Sequence, residues 1–394
     1  MIPRFVQIST LTNYPAVLLN RDDSGLAKRI PFGGAVRTRI SSQCLKRHWR
    51  TCDDVYALDN ICEDLSKSIR SRKLYSLRIA EPLVQEGHSE EVVKAVLLQF
   101  QKNLYETKEK TDNEENGERT ISLDRSEIVV LGEPEINFLK EHARSLCREA
   151  GDDSDKASSL AKDYLKREKK NFLALKYGAG IDSAMFGRFV SGDPDARVSA
   201  SVHVAHSFTV HEEMSETDYF TAVDDLLEDV GETGSAHIGA AELTSGLFYT
   251  YLVVDVPQLV SNLEGVNRKD WLKADRKLAS QIIEHLIHLV SKVSPGAKLG
   301  STAPYSYSSF VLAEMGNRQP RTLANAFFVP VPLDTLNPFD TSVDKLSNYL
   351  EQVDNMYGTE EERLVACRTD VNLKGARQLS LPELATEVRK IIEA

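Results

Sequence analysis

The alternation of apolar and polar positions predicts short strands separated by helical segments. Strand-type alternation is strongest over residues 197–211, and a second apolar run rich in aromatic and β-branched residues spans 245–256. Helical periodicity covers about 58–183 and returns over 269–293. The remaining predicted elements are a strand at 4–11, a helix beginning at Ser41 or Ser42, and a strand from Tyr305 to Met315.

The core elements therefore follow the order strand, helix, strand, strand, helix, strand. This order predicts an α+β protein with a ferredoxin-like core, as in RNA-recognition-motif (RRM) domains. Residues 58–183 form a large helical insertion in that core, and 212–244 form an acidic and aromatic excursion that can be an extended hairpin arm. The aromatic RNA-recognition signature of RRM strands is missing, and the fold order alone serves many activities.

Composition narrows the class of protein. The 394 residues carry a net charge of −11, and 41% hydrophobic with 27% charged residues is ordinary for a globular protein. No apolar run approaches the length of a membrane span, and the first ten residues lack the apolar region of a signal peptide. The five cysteines form no CxxC pair. We expect reduced thiols, no membrane partner and a cytoplasmic location.

One basic segment, residues 20–50, differs from this acidic background. After Asp22 and Asp23 it has no acidic residue until Asp53. A serine can cap the helix that follows, and helix N-termini bind phosphates through free N–H groups and the helix dipole. After Asp23, the segment's lysines and arginines are Lys28, Arg29, Arg37, Arg39, Lys46, Arg47 and Arg50.

The spacing of Gln43, Lys46, Arg47 and Arg50 places them on one helix face, with Leu45 and Trp49 on another. Arg37 and Arg39 alternate on the preceding strand, so they are expected to point the same way. This mixture of hydroxyl, amide and cationic donors suits a nucleic-acid backbone. The alternative is an amphipathic helix whose solvated face is basic.

Several other residue groups suggest chemistry at first. His203 with His206, and His285 with His288, have metal-like spacing, but structural histidines explain both pairs better. The segment PGAKLGST at 295–302 lacks the spacing of a phosphate-binding loop, although Lys298 can still contact an RNA phosphate.

Asp22 and Asp23 are the main catalytic alternative. Paired carboxylates in a loop can hold a divalent metal for phosphodiester hydrolysis. They can equally cap the turn, or pair with Arg21 or a neighbouring subunit. A third possibility is an interaction scaffold that binds no nucleic acid, from which no RNA would co-purify.

A series of short motifs resembles a known family. The motifs lie in family order along the chain and are Asn20–Asp23, Phe32–Gly34, Arg39–Arg47, Gly187-Arg188, Thr221–Asp225, Gly234–Gly239, Ser245-Gly246, Pro295–Lys298 and Ala324–Phe327. They resemble the CasC-type backbone subunit of the type I-E CRISPR surveillance complex, Cascade. Residues 57–180 and those after Pro330 match weakly or not at all.

The resemblance implies a non-catalytic, antiviral-defence subunit without cofactor or metal. It would bind crRNA, polymerise along it with further copies of itself and other Cascade subunits, and present the guide for pairing with target DNA. It would have a ferredoxin-like palm, helical fingers and a hairpin thumb. The predicted boundaries are 1–56 (palm), 57–183 (fingers), 184–211 (palm), 212–244 (thumb) and 245–394 (palm and C-terminal helices).

The resemblance also assigns residues. Ser41, Gln43, Lys46 and Arg50 would grip the RNA backbone, with Arg21 and Arg39 in support. Arg188 and Lys298 would add RNA contacts, and Phe189 would lie near the bases, although a core phenylalanine is nearly as plausible there. Tyr219, Phe220 and Thr221 of the thumb would reach over the guide of the next subunit. The catalytic alternative from this family is an RNA-targeting CRISPR ribonuclease subunit using Asp22 and Asp23.

Overall fold

The computed structural model describes residues 2–62, 67–104, 123–168, 180–188, 198–223 and 235–394. The chain forms two compact units. The sheet unit comprises Met1–Ala57, Val202–Val256 and Arg276–Ala394, and the helical unit comprises Leu58–Ser201 and Pro257–Asp275. None of the helices within the described ranges combines the length and apolar character needed to cross a bilayer.

Strands and helices are interspersed along the chain without a regular alternation. The strands are β1 (Phe5–Val17), β2 (Arg29–Phe32), β3 (Ala35–Ile40), β4 (Ile69–Ser71), β5 (Val129–Leu131), β6 (Val202–Val204), β7 (Ser207–Thr209), β8 (Ser215–Val223), β9 (Ser235–Asp255), β10 (Phe310–Gly316), β11 (Glu362–Cys367) and β12 (Ala376–Gln378). The helices are α1 (Ser42–Thr51), α2 (Glu81–Gln85), α3 (Glu90–Leu104), α4 (Glu133–Ala150), α5 (Ser154–Arg167), α6 (Ile181–Phe186), α7 (Val256–Glu264), α8 (Lys277–Lys292), α9 (Leu299–Thr302), α10 (Pro338–Tyr357) and α11 (Leu381–Glu393). The predicted mixed α+β class is confirmed.

The large sheet is built around β1, which pairs antiparallel with β9 on one side and with β10 on the other. Its strand order is β12-β11-β10-β1-β9-β7-β3-β2, and β6 and β8 also pair with β9. Only the β11–β12 pair is parallel among the pairings of this sheet's described strands. Beyond the sheet, β8 and β9 continue as a two-stranded hairpin from Ser215 opposite Thr244 to Val223 opposite Ser235. This hairpin is called the arm below.

Helices cover both faces of this sheet. Odd positions such as Leu11 and Tyr249 pack on α10 and on a 3₁₀ turn at Ala324–Phe327. The opposite face carries α1 and α8, where Leu45 and Trp49 line a small cavity with Tyr14, Phe248 and Val290. The side-chain alternation of β1 and β9 thus explains why successive residues enter two different cores.

The helical unit has its own core. Helices α3, α4 and α5 bury small and aliphatic residues against one another, among them Val96, Leu139, Ala143 and Ala161. A two-stranded sheet of β4 and β5 completes it. The buried Asp182 ties α6 to this unit, since its carboxylate accepts hydrogen bonds from the backbone and side chain of Ser68 at 2.8 and 2.7 Å.

The prediction of one regular strand at 197–211 is wrong. The segment forms β6 and β7, interrupted at Ala205 and His206, and the register against β9 shifts between them. The polar residues Ser207 and Thr209 of β7 are buried. They can point inward because their hydroxyls are satisfied: that of Ser207 donates to the Tyr249 carbonyl at 3.0 Å, and that of Thr209 donates to the His211 carbonyl at 2.9 Å.

Other predicted boundaries also change. The last core strand begins at Phe310, so Tyr305 and Tyr307 precede it in an extended connection. Helix α8 begins at Lys277, because a separate 3₁₀ turn occupies Arg268–Lys273. Strand β9 is far longer than 245–256 because it also supplies the second strand of the arm.

Candidate nucleic-acid interface

The start of α1 is capped as the sequence predicts. The Ser41 hydroxyl accepts a hydrogen bond from the Cys44 N–H at 3.3 Å, and the Ser41 N–H donates to the side-chain oxygen of Asn20 at 2.9 Å. The first turn of α1 contains no acidic residue. Burial raises the pKa of the Cys44 thiol to about 11, with Arg47 and Lys28 opposing this shift. The helix start therefore carries no negative charge that would oppose an anion.

The faces of α1 separate as the spacing predicts. Leu45 and Trp49 are buried, whereas Gln43 and Arg47 are exposed. Lys46 and Arg50 lie between these extremes: they are half-buried, and each already interacts within the chain. The two cations are thus held in place, while Gln43 and Arg47 extend furthest into solvent.

The loop before β2 is closed by Asp22. Its Oδ1 accepts hydrogen bonds from the N–H groups of Ser24 at 3.0 Å and Leu26 at 2.9 Å. Arg21 and Asp23 are exposed in the same loop. Asp22 therefore caps the turn, as the non-catalytic alternative predicts. In the described part of the chain, no group of three or more His, Cys, Asp or Glu side chains is arranged to hold a metal ion.

Two motifs distant in sequence meet at the β2–β3 turn. Gly33 has a φ of +62°, and a Cβ placed on it would lie 1.5 Å from the Phe328 carbonyl oxygen. The Phe32 ring packs edge-on against Phe208 at 5.2 Å and against Phe328 at 5.7 Å. The Phe32–Gly34 motif therefore packs against Phe328, the residue that directly follows the Ala324–Phe327 motif.

The strand alternation predicts that Arg37 and Arg39 point the same way, but the two side chains differ in exposure and only Arg37 is buried. The Arg37 side chain donates hydrogen bonds to the carbonyls of Thr209 at 2.9 Å and Phe327 at 3.0 Å. Burial lowers the pKa of Arg37, and Glu212 partly offsets this effect. The 3₁₀ turn that buries this side chain lies 290 residues away, so the strand pattern gives no signal for it. Arg37 is a structural cation.

Arg39, two residues on, remains half-exposed. Its guanidinium donates to the Arg29 carbonyl at 3.2 Å and lies 3.2 Å from the His206 ring nitrogen Nδ1. Burial, and then the Arg39 charge, lower the pKa of His206. A neutral His206 can accept this hydrogen bond and so orient the guanidinium.

The root of the arm is joined to the basic segment by charge. The Arg29 guanidinium donates hydrogen bonds to the carboxylates of Glu213, just before β8, and Glu242, in β9. Glu242 also accepts a hydrogen bond from the Ala27 N–H at 2.5 Å. The sequence suggests that the arm acids dock on the basic segment of a neighbouring copy. For Glu213 the partner is instead within the same chain, because β9 brings the arm root beside β2.

Tyr219 and Phe220 lie midway along the arm. They are paired with Ala240 and Gly239, and Thr221 follows opposite Ile238. The sequence suggests an aromatic tip at these two residues, but the hairpin continues past both rings to Val223; residues 224–234 lie outside the described residues. The Phe220 ring covers Gly239, and the Lys298 ammonium lies 5.8 Å from its centroid. Two residues predicted to contact RNA thus contact each other.

The predicted RNA contact of Arg188 does not agree with the structure, and that of Phe189 is not tested. Arg188 is buried and forms an ion pair with the equally buried Glu135 at 2.9 Å. This partner lies 53 residues earlier, so the sequence gives no sign of it. Arg188 is therefore a structural cation of the helical unit and not part of the candidate interface. Phe189 lies outside the described residues.

The paired histidines have structural roles. His285 Nδ1 lies 3.0 Å from the Tyr56 carbonyl, and the buried His288 ring stacks on Tyr56 with centroids 3.6 Å apart. Burial, aided by Lys292, lowers the pKa of His288 to about 4. His203 lies in β6 and His206 lies in the break between β6 and β7, and both side chains are exposed. Neither pair forms part of a metal cluster in the described ranges.

Sequence reasoning missed two positions that build this surface. Asn20 fixes the α1 cap, and Glu242 binds both Arg29 and the Ala27 N–H. The signal for Asn20 is its place in the N-R-D-D motif. Glu242 has no such signal.

A family model described as CT1975-like protein matches residues 6–393. The chain belongs to the CT1975-like family. No protein with a curated description matches it. One solved structure, titled "CRISPR RNA-guided surveillance complex, pre-nicking", contains a similar chain with 24% identity and a TM-score of 0.79, covering 98% of this chain and 100% of that chain.

A second structure, titled "CRISPR RNA-guided surveillance complex", contains a chain 21% identical to this one. Its TM-score is 0.69, with 98% and 99% of the two chains covered. The resemblance to surveillance-complex subunits drawn from the sequence motifs is thus confirmed at the level of family and fold. The type I-E assignment stays a prediction.

Proposed function

We propose that this chain is the crRNA-binding backbone subunit of a type I-E CRISPR effector complex in the cytoplasm. The observation that carries the proposal is the full-length fold match to a chain from a CRISPR RNA-guided surveillance complex. In this role the subunit polymerises along the guide with further copies of itself. Other Cascade subunits complete the complex, and base pairing, not the protein, reads the target DNA sequence.

The α1 start is the proposed grip on the RNA backbone. Ser41 presents the capped helix N-terminus, and Gln43, Lys46 and Arg50 provide donors on the flanking face. Arg21, Arg39 and Lys298 surround it as supporting cations. Because the first turn has no acidic residue, no carboxylate of that turn would repel a phosphate bound at this end.

The strand order supports a ferredoxin-like palm as part of this proposal. The central strands run β10-β1-β9-β7 with α1 and α8 on one face, which is the order expected for a split βαβ core. An RRM domain uses its open sheet face for RNA, but here α10 covers the other face. We therefore propose that RNA follows the α1 end of the palm and does not lie across the strands.

We assign the arm and the helical unit to the remaining two parts of the palm, fingers and thumb arrangement. The helical unit would be the fingers, and the β8–β9 arm would be the thumb. Tyr219, Phe220 and Thr221 would reach the guide of the next copy and displace one nucleotide. The exposed fractions of Tyr219 and Phe220, 63% and 42%, leave both rings available for a base, even with Lys298 beside Phe220.

A salt titration tests the RNA grip. Lys46→Ala with Arg50→Ala should weaken binding of unrelated single-stranded RNAs to a similar degree. It should also reduce the slope of log affinity against log salt by about 0.7 for each phosphate that the variant no longer neutralises. The matched control is Lys162→Ala with Lys166→Ala on α5, which removes two exposed cations at the same spacing.

Thermal unfolding of both double variants shows whether the folds are equally intact. If the α1 variant binds like wild type at several salt concentrations, the assignment of α1 is wrong. If the two variants lose affinity equally, the effect is one of net charge and not of a site.

We further propose that the subunit is not a nuclease. The Asp22 oxygen Oδ1 is already occupied by two backbone donors, and Asp23 is exposed without a second carboxylate cluster beside it in the described ranges. Incubation of the assembled protein with Mg²⁺ or Mn²⁺ and complementary RNA or DNA should leave the nucleic acid intact. Cleavage that disappears in Asp22→Ala or Asp23→Ala would favour the metal-dependent ribonuclease.

A further inference from the structure

We propose that Tyr305 and Tyr307 form a stacking platform for two bases of single-stranded RNA, beside Lys298. This pair is called the tyrosine platform. The inference rests on the proposed RNA-binding function and adds to it a second kind of contact, with bases instead of phosphates. It is drawn from the exposure, anchoring and position of the segment that joins α9 to β10.

The rings of Tyr305 and Tyr307 are largely exposed to solvent. Tyr305 is 74% exposed and Tyr307 is 71% exposed. In the described part of the chain, neither side chain has a hydrogen bond, a cation–π contact or a contact with another ring. Tyrosine rings that are left this open on an ordered backbone expose apolar surface that a flat partner can cover.

The residues between and around them are fixed. Pro304 is buried, and its Cγ lies 2.7 Å from the position of a Cβ on Gly296. The Ser306 N–H donates to the Ser294 hydroxyl oxygen at 3.2 Å, and that hydroxyl donates to the Ser306 carbonyl at 3.1 Å. The Ser308 N–H donates to the Ser291 carbonyl at 2.8 Å.

Residues 304, 306 and 308 therefore face the protein, and the two tyrosines alternate with them toward solvent. The backbone between the rings is already ordered before any ligand binds. A ligand that stacks on them loses little extra conformational entropy from the protein, which favours binding.

The position of the platform favours nucleic acid over a protein partner. The loop that precedes it docks on the turn after β1, where the Ala297 N–H donates to the Leu18 carbonyl at 2.9 Å. Two residues later in that turn, Asn20 fixes the Ser41 cap of α1. Lys298, in the same loop, adds a positive charge. An RNA whose phosphates bind at α1 thus passes next to two open aromatic rings.

Stacking on aromatic rings tolerates any base sequence, because every base has a π face. Its strength corresponds to roughly five- to hundredfold in affinity for each stacked base. The platform should therefore contribute affinity without sequence preference and without any dependence on salt beyond that of the phosphate contacts.

The test compares two double variants of the full chain. Tyr305→Leu with Tyr307→Leu keeps apolar bulk but removes both rings, whereas Tyr305→Phe with Tyr307→Phe keeps them. Affinity for a labelled single-stranded RNA is measured at several salt concentrations. The same RNA carrying photoreactive thiouridine is cross-linked to wild type, and the attached peptide is identified.

We expect the leucine variant to bind RNA at least about tenfold more weakly with an unchanged salt slope, and the phenylalanine variant to bind within about twofold of wild type. Cross-links should map to Tyr305 or Tyr307. Equal melting temperatures would show that both variants are folded, as the exposure of these side chains predicts.

Two results overturn the platform alone. In one, Lys46→Ala with Arg50→Ala loses RNA while the leucine variant binds like wild type. In the other, the leucine variant loses self-association at unchanged RNA affinity, which would make the rings a contact between copies. If the wild-type chain binds no RNA, the proposed function fails together with the platform.

Discussion

At the scale of single residues, close packing explains the residue types at two positions of the basic segment. Gly33 touches the Phe328 backbone so closely that no side chain fits, and Arg37 joins β3 to the carbonyls of β7 and of the 3₁₀ turn. These two residues therefore fix the basic segment against β7 and the 3₁₀ turn. The RNA contacts that we propose depend on this support and not only on the exposed cations.

Replacement of Gly33 tests the contact. Gly33→Ala should lower the free energy of unfolding by roughly 1–3 kcal/mol more than Gly34→Ala, because only the first forces the Phe328 backbone to move. Both positions have positive φ, and the space around Gly34 is empty to 4 Å, so the second variant carries the backbone strain alone. Denaturant unfolding of the two variants measures the difference, and equal midpoints would contradict the close contact.

A buried charge network gives a pH-dependent prediction. Burial tends to raise the pKa of Asp354, but the hydrogen bonds and charge of Arg363 outweigh it and hold that pKa below its usual range. Arg363 Nη1 and Nη2 donate to the two Asp354 oxygens at 2.6 Å each, and Arg363 also contacts Glu314 at 3.0 Å.

Because the folded-state pKa of Asp354 is lowered, its contribution to stability is present above the unfolded pKa of about 3.9 and is lost as pH falls through the folded value. Asp354→Asn should therefore destabilise the protein by roughly 3–5 kcal/mol at neutral pH, with the difference from wild type shrinking below about pH 4. Asp370→Asn, at an exposed position, is the control. A difference that stays constant between pH 7 and pH 3 would exclude this role for the ion pair.

Local residue roles could be predicted from the sequence, and long-range ones could not. The Ser41 cap and the buried side of α1 depend on neighbours within one or two helical turns, so their spacing reveals them. Arg37 and Arg188 look like surface cations in the sequence. Their partners lie 172 to 290 residues away for Arg37 and 53 away for Arg188, so only the tertiary fold shows that they are buried.

At the scale of elements, the arm is attached to the sheet by both strand pairing and charge. Strand β9 carries it continuously out of the sheet, and Arg29 pairs with carboxylates at its root on both sides of the hairpin. Arg29 thus uses its charge inside the chain, as Arg37 also does. We regard Arg29 as an arm-positioning residue.

Removal of this cation should loosen the root of the arm. Arg29→Ala leaves the carboxylates of Glu213 and Glu242 without their shared partner, so amide hydrogens of β8 and the first part of β9 should exchange faster by about three- to tenfold. Arg29→Lys retains the positive charge, so its amide exchange rates should lie between those of wild type and those of Arg29→Ala. Hydrogen exchange followed by mass spectrometry measures this, with β10 and β11 as an internal reference.

Unchanged exchange in the arm of Arg29→Ala would show that strand pairing alone fixes it. Faster exchange throughout the sheet would show that Arg29 stabilises the whole sheet unit and has no specific role at the arm.

The elements that the sequence predicts well have strong periodicity and local caps. Helix α1 begins where its pattern indicates, and β1 begins at the predicted place but continues beyond the predicted end at residue 11 to Val17. The segment 197–211 fails because its alternation continues through the interruption at Ala205 and His206, and a single shift of register reverses which side chains are buried. The acidic and aromatic composition predicts an arm. It does not predict that Tyr219 and Phe220 lie midway along the described hairpin, because this position is set by the register between β8 and β9.

At the scale of the whole molecule, the negative net charge and the proposed RNA-binding role are compatible because charge is unevenly distributed. Acidic residues pair with Arg29 at the arm root and form the Asp354–Arg363 network, whereas the α1 start has no acidic residue in its first turn. The net charge of −11 therefore describes the average surface and not the proposed interface.

The coverage of both sheet faces also limits the course that we propose for RNA on the sheet unit. With α10 on one face and α1 and α8 on the other, the proposed path runs past helix ends and loops. It connects the Ser41 cap and the loop of Lys298, which are docked at the turn after β1, with the tyrosine platform, whose backbone is anchored at the C-terminal end of α8.

Sequencing of the RNA that co-purifies with the native complex tests the central claim most directly. The complex is isolated through a tag on this chain from the cells that normally produce it, and the bound nucleic acid is extracted without added RNA. We predict short RNAs of one length class that share constant flanks around variable guides. Recovery of no RNA, or of fragments that mirror the general cellular RNA pool, would contradict the account.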